Sequence, residues 1–408
     1  MIAQEGSCKV KRVFIVSAKR TPIGSFLGSL KNTSASELGA VLIKNIIEET
    51  KIDPADVDEV IVGNILSAGL GQGVGRQVAI NGGIPMEVPA YSLNILCGSG
   101  MKAVMNAVTS MKAGYSNLVF AGGVESMSRA PYLLPADTRT GHKMADFKVV
   151  DHMINDALTD AFNGIHMGIT AENIAEKYGI TREMQDEFAI ESQRKAIAAI
   201  DAGRFKEEIV PLMVKVGKED VLFDTDEFPN RKTDLEKLSK LKPAFKKDGT
   251  VTAGNASGIN DGGSMVLLAS EEALEKYNLT PIAEVLGIGQ GGVDPKVMGL
   301  GPTPAIRNAL KDANLTLQDM EVLELNEAFA AQSLGVVHEL SQEWGIEEKE
   351  ILAKTNPNGG AIALGHPVGA SGNRIIVTLL HEMKKDQLGL ASLCIGGGMG
   401  TAVVFRKM

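Results

Sequence analysis

The sequence predicts an α/β protein that contains two copies of one strand–helix unit. Strand and helix patterns alternate over the first 125 residues, and the alternation resumes after Gly258. Three segments recur 262 to 274 residues later in the chain: 57–64 at 319–326, Ser99-Gly100 at Ser371-Gly372, and 118–123 at 392–397. This steady offset favours an internal duplication. Alternating strands and helices favour mostly parallel sheets that are covered on both faces.

Short apolar runs predict the strands, in chain order, at 13–17, 60–62, 91–96, 118–121, 265–268 and 282–288. We expect the fourth of these strands to end at Gly122-Gly123. Apolar spacing predicts a helix over 36–49 and another, capped by Thr181, that runs to about Ala202 in a charged, loop-like middle region. Thr303-Pro304 predicts a further helix start, with threonine as the cap and proline in the first position.

Composition narrows the class of protein. The 408 residues are enough for two or three domains, and 44% hydrophobic with 22% charged residues is typical of a soluble globular protein. No apolar run is long enough to span a bilayer. The net charge of −9 and the 4% aromatic content argue against a nucleic-acid partner. No histidine or cysteine spacing typical of a metal site is present.

The expected location is the cytoplasm. Met1–Val13 lacks the long apolar core of a signal peptide and is too short to be a convincing transit peptide. Three cysteines are too few, and odd in number, for a disulfide scaffold, which favours a reducing compartment.

Cys97 is predicted to lie at a tight turn between a strand and a helix. It follows an apolar run and precedes Gly98-Ser99-Gly100 and a helical pattern that stops at Gly114. The N–H groups and dipole at a helix N-terminus stabilise an anion, so we expect the pKa of this thiol to fall and the thiolate to act as a nucleophile. The alternative is a small buried hydrophobic residue, the commoner role of a lone cysteine.

Two further chemical groups lie near the C-terminus, each beside glycines. His366 ends a glycine-rich segment with the spacing of a nucleotide-binding P-loop, but His366-Pro367 replaces the required lysine and hydroxyl residue. His366 is therefore a candidate base, or alternatively a buried structural histidine. Cys394 precedes Gly396-Gly397-Gly398, which predicts an anion-binding nest of N–H groups beside a second thiol, or alternatively a plain turn between buried strands.

These groups suit acyl transfer through a thioester. Cys97 follows a strand pattern of the first copy, whereas Asn326, His366 and Cys394 follow strand patterns of the second, so all four are expected at one face. In such a reaction one cysteine carries the acyl group, another group removes a proton α to a carbonyl, and N–H donors hold the oxyanion.

With these residues in place, the chain resembles the thiolase family from near its N-terminus to its last strand. Six blocks in the same order carry the resemblance: 94–100 (NILCGSG), 121–128 (AGGVESMS), 254–262 (GNASGINDG), 326–330 (NEAFA), 365–372 (GHPVGASG) and 394–400 (CIGGGMG). Within the family, His166-Met167-Gly168 resembles the biosynthetic, short-chain members.

The resemblance implies a fold and a division into domains. The thiolase fold has duplicated βαβαβαββ halves that give a five-layered α-β-α-β-α core, with a loop domain inserted in the first half. On this chain it implies a first half of 1–125 plus 250–279, which carries Cys97, and a second half of 280–408. The loop domain, 126–249, is implied to bind CoA and to make oligomer contacts.

The implied activity is that of an acyltransferase, which condenses two acetyl-CoA molecules to acetoacetyl-CoA plus CoA by a reversible, ping-pong reaction. His366 activates Cys97, which becomes S-acetylated, and Cys394 then removes the α proton of the second acetyl-CoA. One oxyanion hole is implied for His366 with a water held by Asn326, and another for the N–H groups of Cys97 and Gly396.

The resemblance also implies contacts with the substrate. CoA thioesters are substrates and products, and no permanently bound cofactor or metal is expected. The residues implied for CoA are Ser257, His166, Met167, Phe245, Met298, Ala328, Phe329 and, at the adenine end, Arg231. The basic stretch from Arg231 to Lys247 is expected to attract the CoA phosphates. A homotetramer with no membrane or nucleic-acid partner is implied.

Three alternative functions stay open. The nearest is a degradative 3-ketoacyl-CoA thiolase for longer chains, against which His166-Met167 counts because this pair would narrow the pocket. A decarboxylating β-ketoacyl synthase would use two histidines with one cysteine, and a non-catalytic acyl-CoA carrier would have lost a catalytic group. A regulatory disulfide between Cys97 and Cys394 is a further hypothesis, which requires Cα atoms within ~7 Å.

Overall fold

The computed structural model describes residues 11–408. The prediction that Met1–Val13 is not a targeting segment therefore falls almost wholly outside the described residues, as does the start of the predicted first half. In residues 11–408 no helix is both long and apolar enough to cross a membrane.

Strands and helices alternate along most of the chain. The strands are β1 Val13–Arg20, β2 Gly24–Ser25, β3 Glu59–Gly63, β4 Ala90–Leu93, β5 Leu118–Ser126, β6 Tyr132–Leu133, β7 Val150–Asp151, β8 Leu212–Val216, β9 Glu219–Phe223, β10 Asn260–Ser270, β11 Ala283–Gly292, β12 Val322–Leu325, β13 Leu388–Ile395 and β14 Met399–Lys407. The α-helices are α1 Ala35–Thr50, α2 Val74–Asn81, α3 Ser99–Lys112, α4 His152–Asp156, α5 Met167–Tyr178, α6 Arg182–Asp201, α7 Leu235–Ser239, α8 Glu271–Lys276, α9 Pro302–Ala313, α10 Ala330–Trp344, α11 Glu348–Ala353, α12 Ala361–Leu364 and α13 Val368–Glu382.

The main sheet confirms the predicted duplication. Its strands follow the order β12-β13-β14-β11-β1-β10-β5-β3-β4, so each half repeats the other outward from the central β1–β11 pair. That pair is antiparallel, with Phe14 opposite Glu284, as expected when one strand is repeated about a two-fold axis. The outermost strand of the second half is reduced to a single bridge between Leu323 and Thr355.

The prediction of a mostly parallel sheet is wrong. Among residues 11–408, three neighbouring strand pairs of this sheet are parallel, namely β3–β4, β3–β5 and β12–β13. The neighbours of β10 and β14 run antiparallel to them. The reason is that the last strand of each half follows no crossover helix: β14 returns from β13 through a tight hairpin, and β10 returns after the long segment that follows β5.

Three apolar clusters separate five layers of secondary structure. One packs α1 and α2 against the outer face of the first sheet half, with Leu38 and Val78 among its members. The central cluster joins the inner faces of both halves through α3 and α13, and it contains Met101 and Ile375. The third packs α9 and α10 on the outer face of the second half. The order α-β-α-β-α is thereby confirmed.

Two predicted element ends differ from the structure because of close backbone packing. Strand β5 continues through Gly122-Gly123 to Ser126. Glycine is needed at 123 because the strand passes close to α13: a Cβ there would lie 2.1 Å from the carbonyl oxygen of Gly369. Helix α9 begins at Pro302 rather than after Thr303, and its cap is Gly301, where a Cβ would lie 1.9 Å from the Met399 carbonyl oxygen. By contrast, Thr181 does cap α6, as predicted.

The segment between β5 and β10 holds α4 to α7 and two small hairpins, and a buried ion-pair cluster ties it to β1. The guanidinium of Arg20 donates to Glu208 and to both carboxylate oxygens of Asp226, and all three side chains are almost fully buried. The placement of β10 between β1 and β5 agrees with a first half completed after the insertion. The division at 125, 249 and 279 stays a prediction.

Removal of one member of this cluster is expected to destabilise the protein strongly. Asp226→Ala leaves the buried Arg20 without its bidentate partner and should lower the free energy of unfolding by about 3–5 kcal/mol. The measurement is equilibrium unfolding in urea. The matched control is Glu236→Ala, which breaks an exposed pair with Lys240 and should cause no measurable change. Equal effects of the two substitutions would contradict a stabilising role for the buried cluster.

Candidate active site

One cavity of about 440 Å³ collects side chains from both sheet halves and from the segment between β5 and β10. Its wall contains the three predicted reactive groups, Cys97, His366 and Cys394. It also contains seven of the residues predicted to contact CoA: His166, Met167, Phe245, Ser257, Met298, Ala328 and Phe329. The structure thus brings together ten predicted residues that are spread over almost 300 positions of the chain.

The turn that carries Cys97 is held by local hydrogen bonds between β4 and α3. The Ser99 hydroxyl donates to the Leu96 carbonyl (2.6 Å) and accepts from the Ile95 N–H (2.9 Å), while the Asn94 side chain accepts from the Leu96 N–H. Leu96 has a φ of 53°, an uncommon conformation for a branched residue, which these bonds stabilise. Cys97 therefore projects into the cavity from a fixed turn.

The expected fall in the pKa of Cys97 is wrong. The N–H groups of Gly396 and of Cys97 itself do lower the pKa of this thiol, but burial outweighs them and raises it to about 11. The charge of the buried Glu125 acts in the same direction as burial. With this pKa Cys97 is a neutral thiol near pH 7, and its sulfur becomes a strong nucleophile only when a base removes the proton.

His366, on the same cavity wall, is held in a form that can accept a proton. Its backbone N–H donates to the Asn260 side chain, and its Nδ1 lies 2.6 Å from the Ser371 hydroxyl. That hydroxyl also lies 2.9 Å from the Pro367 carbonyl oxygen; when it donates there, Nδ1 carries the ring proton and Nε2 is the acceptor. Burial, with a smaller effect of the Arg374 charge, lowers the pKa of His366 to about 4, so the ring is neutral near pH 7.

Cys394 lies at the end of β13, just before the turn at Gly396-Gly397-Gly398. Gly397 and Gly398 have φ values of 77° and 84°, and a Cβ on Gly398 would lie 2.2 Å from the Val293 carbonyl oxygen. This turn aims the Gly396 N–H at the Cys97 sulfur. Burial and the neighbouring Cys97 raise the pKa of Cys394. Both cysteines are free thiols.

An aromatic stack forms one side wall of the cavity. The rings of His166 and Phe245 are parallel, with centroids 4.7 Å apart, and Phe329 meets Phe245 edge-on. Gly168 permits this stack, because a Cβ there would lie 2.2 Å from the Phe245 ring. Burial lowers the pKa of His166, so this wall is uncharged and apolar.

Three predicted site residues lie outside the cavity wall, namely Asn326, Arg231 and Gly396, although the N–H of Gly396 still reaches Cys97. Asn326 is buried, and within residues 11–408 neither polar atom of its side chain has a hydrogen-bond partner. Arg231 is on the surface, where its guanidinium donates to both oxygens of Asp201. A separate surface pocket of about 370 Å³ contains Lys242, Lys246 and Lys247, and it shares Ala244 and Phe245 with the cavity.

Sequence reasoning missed the apolar residues that complete the wall, among them Met127, Ile154, Leu158, Phe228 and Val368. They come from separate irregular segments or lie beside turns, so no periodic pattern marks them.

The sequence analysis also missed the buried Glu125. Its carboxylate accepts from the Asn64 side chain and from the N–H groups of Ile65, Leu66 and Gly369. It therefore ties the loop after β3 to the first turn of α13, next to His366. Burial raises the pKa of Glu125 to about 7. The sequence does contain a signal that could have identified Glu125 as a functional candidate, namely a single acid at the end of the apolar run Val119–Val124.

The pH dependence of alkylation distinguishes the two expectations for Cys97. With a pKa of about 11, the thiolate fraction increases with pH throughout the range from 7 to 10, so the rate of Cys97 alkylation by iodoacetamide should keep rising over that range. Peptide mass spectrometry of samples quenched over time gives this rate for Cys97 alone. A plateau below pH 8 would instead indicate the lowered pKa expected from the helix N-terminus.

The comparisons with known proteins all indicate the same family. A profile described as "Thiolase, N-terminal domain" matches residues 13–272, and one described as "Thiolase, C-terminal domain" matches 279–407. The chain is 52% identical over 402 residues to an acetyl-CoA acetyltransferase of Syntrophomonas wolfei, which covers 98% of this chain and 100% of that protein. It is also 52% identical over 401 residues to an acetyl-CoA acetyltransferase of Escherichia coli, at 98% and 100% coverage.

Solved structures show the same relationship. The structure of an acetyl-CoA acetyltransferase from Syntrophomonas wolfei superposes with a TM-score of 0.94 at 43% identity, covering 98% of this chain and 100% of that one. Human mitochondrial 3-ketoacyl-CoA thiolase superposes with a TM-score of 0.92 at 44% identity, covering 98% and 99%.

Proposed function

The chain belongs to the thiolase family, and from this we propose that it is an acetyl-CoA C-acetyltransferase, an enzyme that condenses two acetyl-CoA molecules to acetoacetyl-CoA and CoA. The observation that carries the proposal is the shared wall of Cys97, His366 and Cys394 in one largely apolar cavity. A neutral thiol, a neutral imidazole and a second thiol are the groups needed to transfer an acyl chain and then to form a carbon–carbon bond.

The first half-reaction loads the enzyme. Nε2 of His366 takes the proton of Cys97 as the sulfur attacks the acetyl-CoA carbonyl. The N–H groups of Cys97 and Gly396 stabilise the tetrahedral oxyanion, and the orientation of the Gly396 N–H toward the Cys97 sulfur supports this role. The carbon–sulfur bond to CoA then breaks, and the CoA thiolate takes a proton from Cys394, which leaves acetyl-Cys97, an imidazolium and the Cys394 thiolate.

The second half-reaction forms the new bond. The Cys394 thiolate removes an α proton from the second acetyl-CoA, and its raised pKa suits a weakly acidic carbon. The enolate oxygen is held by the His366 imidazolium and by a water bound to Asn326. The enolate attacks the acetyl carbonyl, and the Cys97 sulfur leaves and recovers its proton from His366. All three groups return to their starting protonation states.

We place the pantetheine arm of CoA along the apolar wall, beside Ser257 and the His166–Phe245 stack, and the phosphates near Lys242, Lys246 and Lys247. The lysine pocket supports this route because it adjoins the cavity mouth through Ala244 and Phe245. Arg231 is a weaker candidate, since Asp201 already binds it. CoA is then a substrate rather than a resident cofactor.

We also propose a cytoplasmic homotetramer, in which the segment between β5 and β10 makes subunit contacts. Support comes from its exposed large apolar side chains, which are unusual on a monomer surface: Tyr132, Leu134, Met144, Phe147 and Phe162.

The length of the acyl chain that the enzyme prefers distinguishes the proposed enzyme from a degradative 3-ketoacyl-CoA thiolase. That thiolase is the second candidate because the chain is similar to human mitochondrial 3-ketoacyl-CoA thiolase. We expect thiolysis of acetoacetyl-CoA to exceed thiolysis of a long-chain 3-ketoacyl-CoA by at least about ten-fold in kcat/KM, because bulky residues such as Met167 and Met298 border the reactive groups. The measurement compares steady-state rates for the two substrates. A preference for the long chain would establish the degradative type.

A further inference from the structure

Two buried arginines of this protein have opposite hydrogen-bond environments. Arg20 is fully buried, and Glu208 and Asp226 accept from its guanidinium nitrogens. Arg374, on α13, is 2% exposed, yet its Nε and both terminal nitrogens have no hydrogen-bond partner in the described part of the chain, 11–408. A buried guanidinium without acceptors carries a large free-energy penalty, so some other group must satisfy it.

The nearest acid, Glu324, is equally unsatisfied. It lies on β12, is fully buried, and neither of its carboxylate oxygens accepts a hydrogen bond from a protein group. Its Oε2 is 3.7 Å from a terminal nitrogen of Arg374, which is too long for a direct hydrogen bond. The two side chains thus form a charged pair whose N–H groups and carboxylate oxygens are left to bind a small molecule beside the pair.

The side chain of Asn326 lies on the same side of its strand as the side chain of Glu324. Asn326 is two residues after Glu324, so both side chains project to the same side of the strand, whereas Leu323 and Leu325 pack into the outer cluster. The Asn326 N–H continues the ladder by donating to the Ser392 carbonyl. Both polar atoms of the Asn326 side chain are buried without a protein partner. Arg374 is also close enough to His366 for its charge to act on the imidazole.

We propose that Glu324, Arg374 and Asn326 enclose a buried hydration site, in which bound water molecules bridge the Glu324–Arg374 pair and extend to the Asn326 amide. Water is the ligand that fits, because this space presents donors on Arg374 and acceptors on Glu324. An anion at this place would be repelled by the carboxyl oxygens of Glu324, and a cation would be repelled by the guanidinium of Arg374. A molecule that both donates and accepts satisfies both sides.

The site gives Glu324 and Arg374 a positioning role in the reaction, and this part rests on the proposed function. The amide of Asn326 has no protein group to fix its orientation, so the bridging waters supply that constraint. Asn326 is proposed to act on the enolate oxygen only. Loss of the hydration site should therefore slow condensation while leaving the acetylation of Cys97 by acetyl-CoA unchanged.

A high-resolution crystal structure of the wild-type protein, grown with sodium bromide, tests the site itself. We expect at least two water molecules within hydrogen-bond distance of Arg374 and Glu324, with no anomalous bromide signal. A bromide peak beside Arg374, or direct Glu324–Arg374 contact with no water, would overturn the proposal. This readout needs no enzyme activity, so it stands apart from any failure of the proposed function.

Paired variants test the positioning role. Glu324→Leu combined with Arg374→Met removes both buried charges together. At about pH 8.5 the His366 ring is neutral with or without the Arg374 charge, so condensation should fall roughly ten-fold there while Cys97 acetylation stays the same. In an Asn326→Ala background the same pair should cause no further loss, because it acts through Asn326. The matched control, Glu236→Leu with Lys240→Met, replaces an exposed acid–base pair and should change neither rate. Equal losses in both half-reactions, or additive losses with Asn326→Ala, would contradict the role.

Discussion

Cys97→Ala is expected to abolish condensation and to prevent any transfer of the acetyl group to the protein. The sulfur of Cys97 is the proposed attacking atom, because it shares the cavity wall with His366 and accepts from the Gly396 N–H. Removal of a nucleophile that works together with its base typically costs four or more orders of magnitude in kcat, and we expect a fall of at least about 10⁴-fold. The measurement is acetoacetyl-CoA formation at saturating acetyl-CoA.

The control for this variant is the binding of CoA. The aromatic wall and the lysine pocket do not depend on the Cys97 sulfur, so the dissociation constant for CoA, measured by calorimetry, should change by less than about three-fold. Cys97→Ala with more than one hundredth of wild-type activity would show that another group is the nucleophile.

Cys394→Ala should separate the two half-reactions. Without a base for the α proton, condensation should fall by about 10²–10⁴-fold. Cys97 should still become acetylated, because the attacking sulfur, its base and its N–H donors are all retained. Rapid quenching after mixing with labelled acetyl-CoA measures the acetyl-enzyme, and a coupled assay measures condensation in the same preparation.

The matched variant is Cys394→Ser, which keeps the shape of the residue. The pKa of a hydroxyl lies far above that of a thiol, so the serine variant should condense as poorly as the alanine variant while also forming acetyl-enzyme. Normal condensation by either variant would exclude Cys394 from the role of base. Loss of acetylation in both variants would mean that Cys394 also supports the first half-reaction.

Much of the fold was predictable because its signals are local. The apolar spacing of Leu38, Leu42 and Ile46 in α1 lies within a single segment. The duplication was visible because equivalent segments kept their sequence similarity. Strand direction was not predictable from such signals. Whether β10 and β14 run parallel or antiparallel depends on how the chain returns to the sheet, and no local pattern records that path.

The candidate site shows a similar limit. The turn at Cys97 and the glycine turn after Cys394 are local features, and both were found from the sequence. The pKa of Cys97 was predicted in the wrong direction, because desolvation depends on wall residues from distant segments, such as Leu158 and Val368. Arg231 was one basic residue among many, and only the structure shows that Asp201 binds it.

The most direct test of the proposed function is the location of the acetyl group on the wild-type enzyme. The protein is incubated with acetyl-CoA, quenched in acid during turnover, digested, and its peptides are sequenced by mass spectrometry. We expect one acetyl group per chain, bound as a thioester to Cys97 and removed when CoA is added before the quench. An acetyl group on Cys394 or on another residue, with Cys97 unmodified, would contradict the proposal.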